Sequence, residues 1–238
     1  MATGDTTWKV LPHGPLTALD DNLWRVEGSL SGAPLERVMT VVRRHDGGLV
    51  LHSPMALGES VMKELEALGP IALLVVPNGY HRLDAPRFAA RYPSAKVAAP
   101  SGSQKRVEAA GVRVDYNYAQ VPHDPAFELR MLKGVGAVEG VMIVRSAGGT
   151  TLVFNDAIFN MPHLPGVQGF VLRHLTASSG GFKLTRLFRV LMLKDKAAFR
   201  ADLEDLARTT GLRRIIVSHH EMVESDAPAA LAALATTV

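Results

Sequence analysis

Residues 71–77, "IALLVVP", constrain the fold more than any other stretch of this chain. The run is too short for a typical helix and follows Gly69-Pro70, which closes the preceding helical pattern. It shows no polar alternation, so both of its faces must be covered. That is the condition of a strand inside a parallel sheet flanked by helices. A second stretch, "LRRIIVSHH" at 212–220, also reads as a buried strand.

The segments around these strands supply the rest of the layers. "NLWRVEGSL" and "ERVMTVVRRHDGGLVLHSP" read as β segments, the latter a pair of strands turning at Asp46-Gly47-Gly48. "LGESVMKELEALGP" places Val61, Met62, Leu65 and Leu68 on one helical face. "DAPRFAARYP" predicts a helix with Asp84 as its N-cap, and "SGSQKRVEAAG" a helix capped by Ser101 or Ser103, with the short strand "AKVAAP" between them. Through residue 110 the order is β-β-β-α-β-α-β-α. "FELRMLKG" and "VEGVMIVRSAGGTTLVFND" then read as antiparallel strands turning at Gly148-Gly149. "DKAAFRADLEDLARTTG" and "SDAPAALAALATTV" read as helices on either side of the 212–220 strand. Each half supplies strands followed by helices. The expectation is one domain over 1–238, an α/β (α+β) four-layer αββα sandwich with two sheets inside. Residues 157–194 are irregular, long for a connection and rich in apolar side chains, and are expected to form a lid beside a site.

Composition closes off several classes of function. The chain has no cysteine, so any metal must be held by His, Asp or Glu. No apolar run reaches the ~18 residues of a membrane span, and "MATGDTTWKVLPHG" has no secretory h-region, so a cytoplasmic protein without membrane partners is expected. The net charge of +3 does not predict nucleic-acid binding. The basic residues from Lys183 to Arg214 alternate with Asp195, Asp202, Glu204 and Asp205 at helical spacing, as on a solvated helix face. There is no Gly-x-Ser-x-Gly elbow, phosphate-binding P-loop or dinucleotide fingerprint.

Three polar groups follow strongly apolar strands: His81, Asp156 and the pair His219-His220. Sites are built where strands end, so these positions point to a common site, against the alternative of separate turn residues. Two histidines and a carboxylate suffice to hold one zinc or iron ion with open positions.

The segments "VLHSPMALGESVMKELEALG", "VVPNGYHRLDAPRFAARYPSAKVAAP", "GTTLVFNDAIFNMP" and "RRIIVSHHEMVES", in this order, resemble a divergent branch of the metallo-β-lactamase superfamily. The resemblance implies the αββα fold and a hydrolytic metal centre. It implies a His-x-His-x-Asp-His motif in the loop after the buried strand, but this chain keeps little of it. With Asn78 at the first position, Tyr80, Arg82 and Leu83 occupy the other three. With His81 at the second, Gly79, Leu83 and Asp84 do. The family's next histidine falls in "KGVGAVEG", where Glu139 is the nearby ionisable group. The bridging carboxylate matches Asp156 and the last histidine matches His219, with His220 beyond it. His52 stands where the family has an acidic residue, and is either an additional site residue behind the ligands or, as expected, a buried and hydrogen-bonded histidine. In one register Arg82 stands where a metal-binding carboxylate would be, and is otherwise a surface residue. His163 and His174 are expected over the site if 157–194 is a lid, and His13, His45 and His123 in solvent.

Two readings follow. The first is a hydrolase acting on an unknown small molecule, with His81, Asp156 and His219 around at most one divalent ion and Asp156 and His219 as the catalytic pair. The second is a non-catalytic ligand-binding or scaffold protein that keeps the fold without metal.

Overall fold

A computed structural model of the chain describes residues 4–32 and 35–238. Its first sheet has seven strands in chain order: β1 (Thr17–Asp20), β2 (Leu23–Ser29), β3 (Glu36–Arg43), β4 (Leu49–His52), β5 (Ile71–Val75), β6 (Lys96–Ala99) and β7 (Tyr116–Asn117). The strands β1 to β4 pair antiparallel, and β4 to β7 run parallel. The turn between β3 and β4 is the expected one. Gly47 takes φ 85°, and Asp46 Oδ1 accepts from Gly48 N at 3.0 Å. Three helices follow parallel strands: α1 (Glu59–Ala67), α2 (Ala85–Arg91) and α3 (Gln104–Glu108).

The second sheet has the order β13-β10-β9-β8, built from β8 (Phe127–Met131), β9 (Gly140–Ser146), β10 (Gly149–Phe154) and β13 (Leu212–Val217). Within it β8, β9 and β10 are antiparallel, and β13 joins β10 in parallel after a long crossover. That crossover holds the hairpin strands β11 (Phe159–Met161) and β12 (Gly181–Lys183) and the helices α4 (Gly166–His174), α5 (Arg186–Leu191) and α6 (Lys196–Ala207). The last helix is α7 (Ala227–Ala235).

The pleat sorts the apolar side chains into three layers. In β4, Leu49 and Leu51 pack with Met62 and Leu65 of α1, while Val50 faces the other way. In β10, Leu152 and Phe154 pack with Leu203 and Leu206 of α6 and Leu231 of α7, while Val153 faces inward. Between the sheets, Leu23, Val38, Val50, Leu73 and Val75 meet Met142, Val144, Val153 and Ile216. This is the four-layer αββα sandwich expected from the sequence. The continuous "LLVV" run is apolar because its two faces serve two different layers.

Two local expectations are corrected. Asp84 precedes α2, but its carboxylate does not cap it. It is buried and receives Arg87 Nη1 from its own helix and Arg37 Nη1 from β3. Ser103 likewise precedes α3 without capping it, and its hydroxyl donates to the Val138 carbonyl at 2.7 Å.

Candidate metal centre

Three strand ends from the two sheets meet at one place. His81 lies in the loop between β5 and α2, Asp156 directly after β10, and His219 directly after β13. His81 Nε2 is 3.0 Å from Asp156 Oδ1, His219 Nε2 is 3.1 Å from the same oxygen, and the two Nε2 atoms are 3.2 Å apart. The three atoms form a nearly equilateral triangle.

Each corner is held from behind. The Asn78 side chain shapes the loop that carries His81, its Oδ1 accepting from Tyr80 N at 2.8 Å and His81 N at 3.1 Å. Its Nδ2 donates to Asp156 Oδ2 at 2.7 Å and to Glu139 Oε2 at 3.0 Å. Oδ1 of Asp156 is thus the oxygen turned toward the histidines. Ser53 Oγ lies 2.9 Å from His81 Nδ1. The backbone carbonyl of Glu36 lies 2.8 Å from His219 Nδ1. A carbonyl only accepts, so Nδ1 of His219 carries the proton, and in the neutral ring Nε2 presents a lone pair. Ser53 and His220 take φ of 57° and 66°, so left-handed backbone flanks the cluster on both sides.

The electrostatics separate the two carboxylates. Burial pushes Asp156 up, but His81 and His219 outweigh it and hold the carboxyl well below its ordinary range. Glu139 is fully buried, and burial together with the charge of Asp156 pushes it up to about 8. One therefore carries the negative charge while the other holds a proton at neutral pH.

The donor set fits a divalent ion. Zinc–nitrogen and zinc–oxygen bonds of about 2.0–2.2 Å place tetrahedral ligands roughly 3.3–3.5 Å apart, close to the sides of this triangle. A neutral His219 would otherwise aim its lone pair at a carboxylate oxygen, an arrangement that calls for a cation or a proton between them. Among the described residues, His81, Asp156 and His219 are the group arranged to hold a metal. All three line a cavity of about 320 Å³, so one side of the cluster faces open space. Three protein ligands and an open side are the pattern of a catalytic rather than a structural zinc site.

The other candidates lie around or away from this centre. Asn78 and Glu139 back Asp156, as described. His220 turns aside, its Nε2 accepting from Glu36 N at 3.4 Å and its Nδ1 lying 3.5 Å from Glu36 Oε2. Arg82 does not replace a ligand. It follows His81 on the outer side of the turn and donates to the Arg106 carbonyl at 2.9 Å. His52 is buried as expected, but neither ring nitrogen has a hydrogen-bond partner among the described residues, and burial drives it down to about 3. His13 is not free in solvent, since its ring lies 2.7 Å from Gly14 O and accepts from Gly58 N at 2.8 Å.

From the 157–194 segment, Phe159, Leu187, Leu191 and Met192 line the cavity, and the Phe159 ring packs at a tilt against that of His219, centroids 4.6 Å apart. His163 and His174 are not among its lining residues. His163 bonds Ser179 Oγ at 3.0 Å, and His174 packs on Phe170. Sequence reasoning missed Ser53 and the Glu36 carbonyl. Ser53 directly follows β4 on the edge where the other site residues gather, which is the signal that could have found it.

Comparisons with known proteins place the architecture. No family model and no curated protein matches the chain. Among solved structures it is similar to a metallo-β-lactamase from Erythrobacter litoralis with β-mercaptoethanol in its active site. That match has 13% identity over 94% of this chain and 96% of that one, with a TM-score of 0.62. It is similar to the FIM-1 metallo-β-lactamase from Pseudomonas aeruginosa in its mono-zinc form, at 13% identity, 96% and 97% coverage and a TM-score of 0.60. It is similar as well to the DIM-1 metallo-β-lactamase exposed to ceftazidime, at 11% identity, 96% and 99% coverage and a TM-score of 0.64. At these identities the likeness speaks for the backbone, and the chain has the metallo-β-lactamase fold.

Proposed function

We propose that this protein is a metal-dependent hydrolase with one divalent ion, zinc or iron, held by His81, Asp156 and His219. The observation that carries this reading is the triangle of Nε2, Nε2 and Oδ1 with sides of 3.0–3.2 Å, open to a cavity. A bound ion would supply Lewis acidity and make water acidic enough to act as a nucleophile near neutral pH.

The chain's own residues do the positioning. Ser53 and the Glu36 carbonyl fix the two imidazole planes, which keeps both Nε2 atoms directed at one point. Asn78 engages Oδ2 of Asp156 and so reserves Oδ1 for that point. Glu139 stores a proton behind Asn78 and keeps a second negative charge away from Asp156. The mono-zinc form of the structurally similar FIM-1 enzyme agrees with a single ion being compatible with this backbone.

The test is metal analysis of protein purified without chelator, coupled to ester hydrolysis. About one zinc or iron per chain is expected, falling several-fold in Asp156→Ala and His219→Ala. A chelator should abolish hydrolysis, and zinc should restore it. Protein that is free of metal and inert after zinc addition would favour the non-catalytic ligand-binding reading.

A further inference from the structure

The cavity that meets the metal centre has a one-sided chemistry. Its wall is made largely by Leu30 and Leu35 from the β2–β3 connection, Leu83 before α2, Phe159 of β11, and Leu187 and Leu191 of α5. These come from four separate parts of the chain, so the apolar wall is not the side effect of one helix. Leu83, Leu187 and Leu191 are also 47%, 57% and 51% exposed, which puts them at the mouth. Large apolar side chains are rarely left in solvent in such a group unless something covers them.

Most polar groups of the wall are either committed or shut off from the cavity. Thr185 Oγ1 caps α5 by accepting from Phe188 N at 3.0 Å. Ser53 Oγ is held by His81, and one Nη of Arg37 is on Asp84. The remaining guanidinium nitrogens of Arg37, Nε and Nη2, have no hydrogen-bond partner among the described residues but are sealed from solvent. A sugar needs several free donors and a phosphate ester a solvent-facing cation, and beyond the histidines this wall offers the hydroxyl of Tyr80 alone.

We infer that the ligand of this site is an amphiphile whose alkyl or aryl group fills the cavity, with its polar head at His81, Asp156 and His219. The inference rests on the proposed metal site only for the position of the head. The volume of about 320 Å³ is at the small end of ligand cavities, suited to a medium-length chain rather than a bulky polycycle. Burial of each methylene then strengthens binding by about fourfold, the equivalent of one CH₂ leaving water.

The head and the tail can be tested apart. Binding of the straight-chain alcohols from butan-1-ol to octan-1-ol is measured by calorimetry on the metal-free full-length protein, so that neither metal nor hydrolysis enters. The dissociation constant should fall by about fourfold per added methylene until the cavity is full. Glucose and inorganic phosphate should not bind. Leu187→Glu, and separately Leu83→Glu, place a charge at the half-exposed mouth and should flatten the chain-length series while the melting temperature stays near wild type. A flat series in the wild-type protein would overturn the inference, and so would an unchanged series in both folded variants. If the alcohols bind as expected but no metal or hydrolysis is found, the hydrolase reading fails and this one stands.

Discussion

At the scale of single residues the centre depends on two carboxylates in opposite protonation states. Asp156 is ionised because two histidines face it, and Glu139 is protonated because it is buried beside that charge. The folded value of Glu139, about 8, lies above its ordinary 4.5. The folded protein therefore holds a proton that the unfolded chain releases as pH rises above 4.5. The unfolded state binds fewer protons across that window, so stability falls as pH climbs from about 5 to 8. Glu139→Gln cannot titrate, and its amide meets Asn78 Nδ2 or Ala157 N with a donor against a donor. The variant is expected to be less stable than wild type at pH 5, with the gap narrowing as pH rises to 8. Urea unfolding at several pH values in the presence of chelator measures this. A gap independent of pH would place the titration elsewhere.

At the scale of elements, Asp84 joins the edge of the site to the outer layer. It sits in the loop that carries His81 and receives one guanidinium from β3 and one from α2, while Arg87 also reaches Asp5 at 2.8 Å. Arg37 and Arg87 are themselves buried, so removing the carboxylate strands Arg37 and leaves Arg87 only its exposed partner Asp5. Asp84→Ala should lose about 3–5 kcal/mol, the usual cost of leaving buried charge uncompensated. Asp5 is 64% exposed, where solvent screens the pair, and Asp5→Ala should cost far less than Asp84→Ala. Equal losses in denaturant unfolding would mean that the buried arginines find other partners. This hub shows what the sequence could and could not disclose. The strands β3, β4, β5, β10 and β13 were legible because burial on one or both faces writes an apolar run or an alternation. So were Asp156 and His219, which end two of those strands. The pairing of Asp84 with Arg37 spans 47 positions and leaves no local pattern. The "DAP" motif therefore read as a cap, which is the commoner use of Asp before a helix. The strands β7, β11 and β12 have two or three residues each, too few for a period to show, and β1 fully buries none of its four. The tie between Glu139 and Asn78 was hidden for the reason that hid Asp84.

At the scale of the whole molecule, the three ligand residues come from opposite halves of the sandwich. His81 belongs to the first sheet's loops, and Asp156 and His219 to the second's. An ion at this point would join the two sheets at one edge, adding to the apolar layer of Val50, Val75, Met142 and Val153 and to the hydrogen bonds of Asn78 and His219 across it. Binding to the folded state alone stabilises by mass action, about 2.7 kcal/mol at a hundredfold excess over the dissociation constant. For a chain of this size each kcal/mol moves the melting temperature by about 2–4 °C. Zinc at that excess should therefore raise the melting temperature by roughly 5–11 °C, and chelator should reverse the shift. His219→Ala and Asp156→Ala should abolish it. His45→Ala should keep it, because His45 is exposed in the β3–β4 turn, at the end of β4 opposite Ser53. Calorimetric scans with and without zinc decide the matter. A shift that survives in His219→Ala would place the ion somewhere other than between the two sheets.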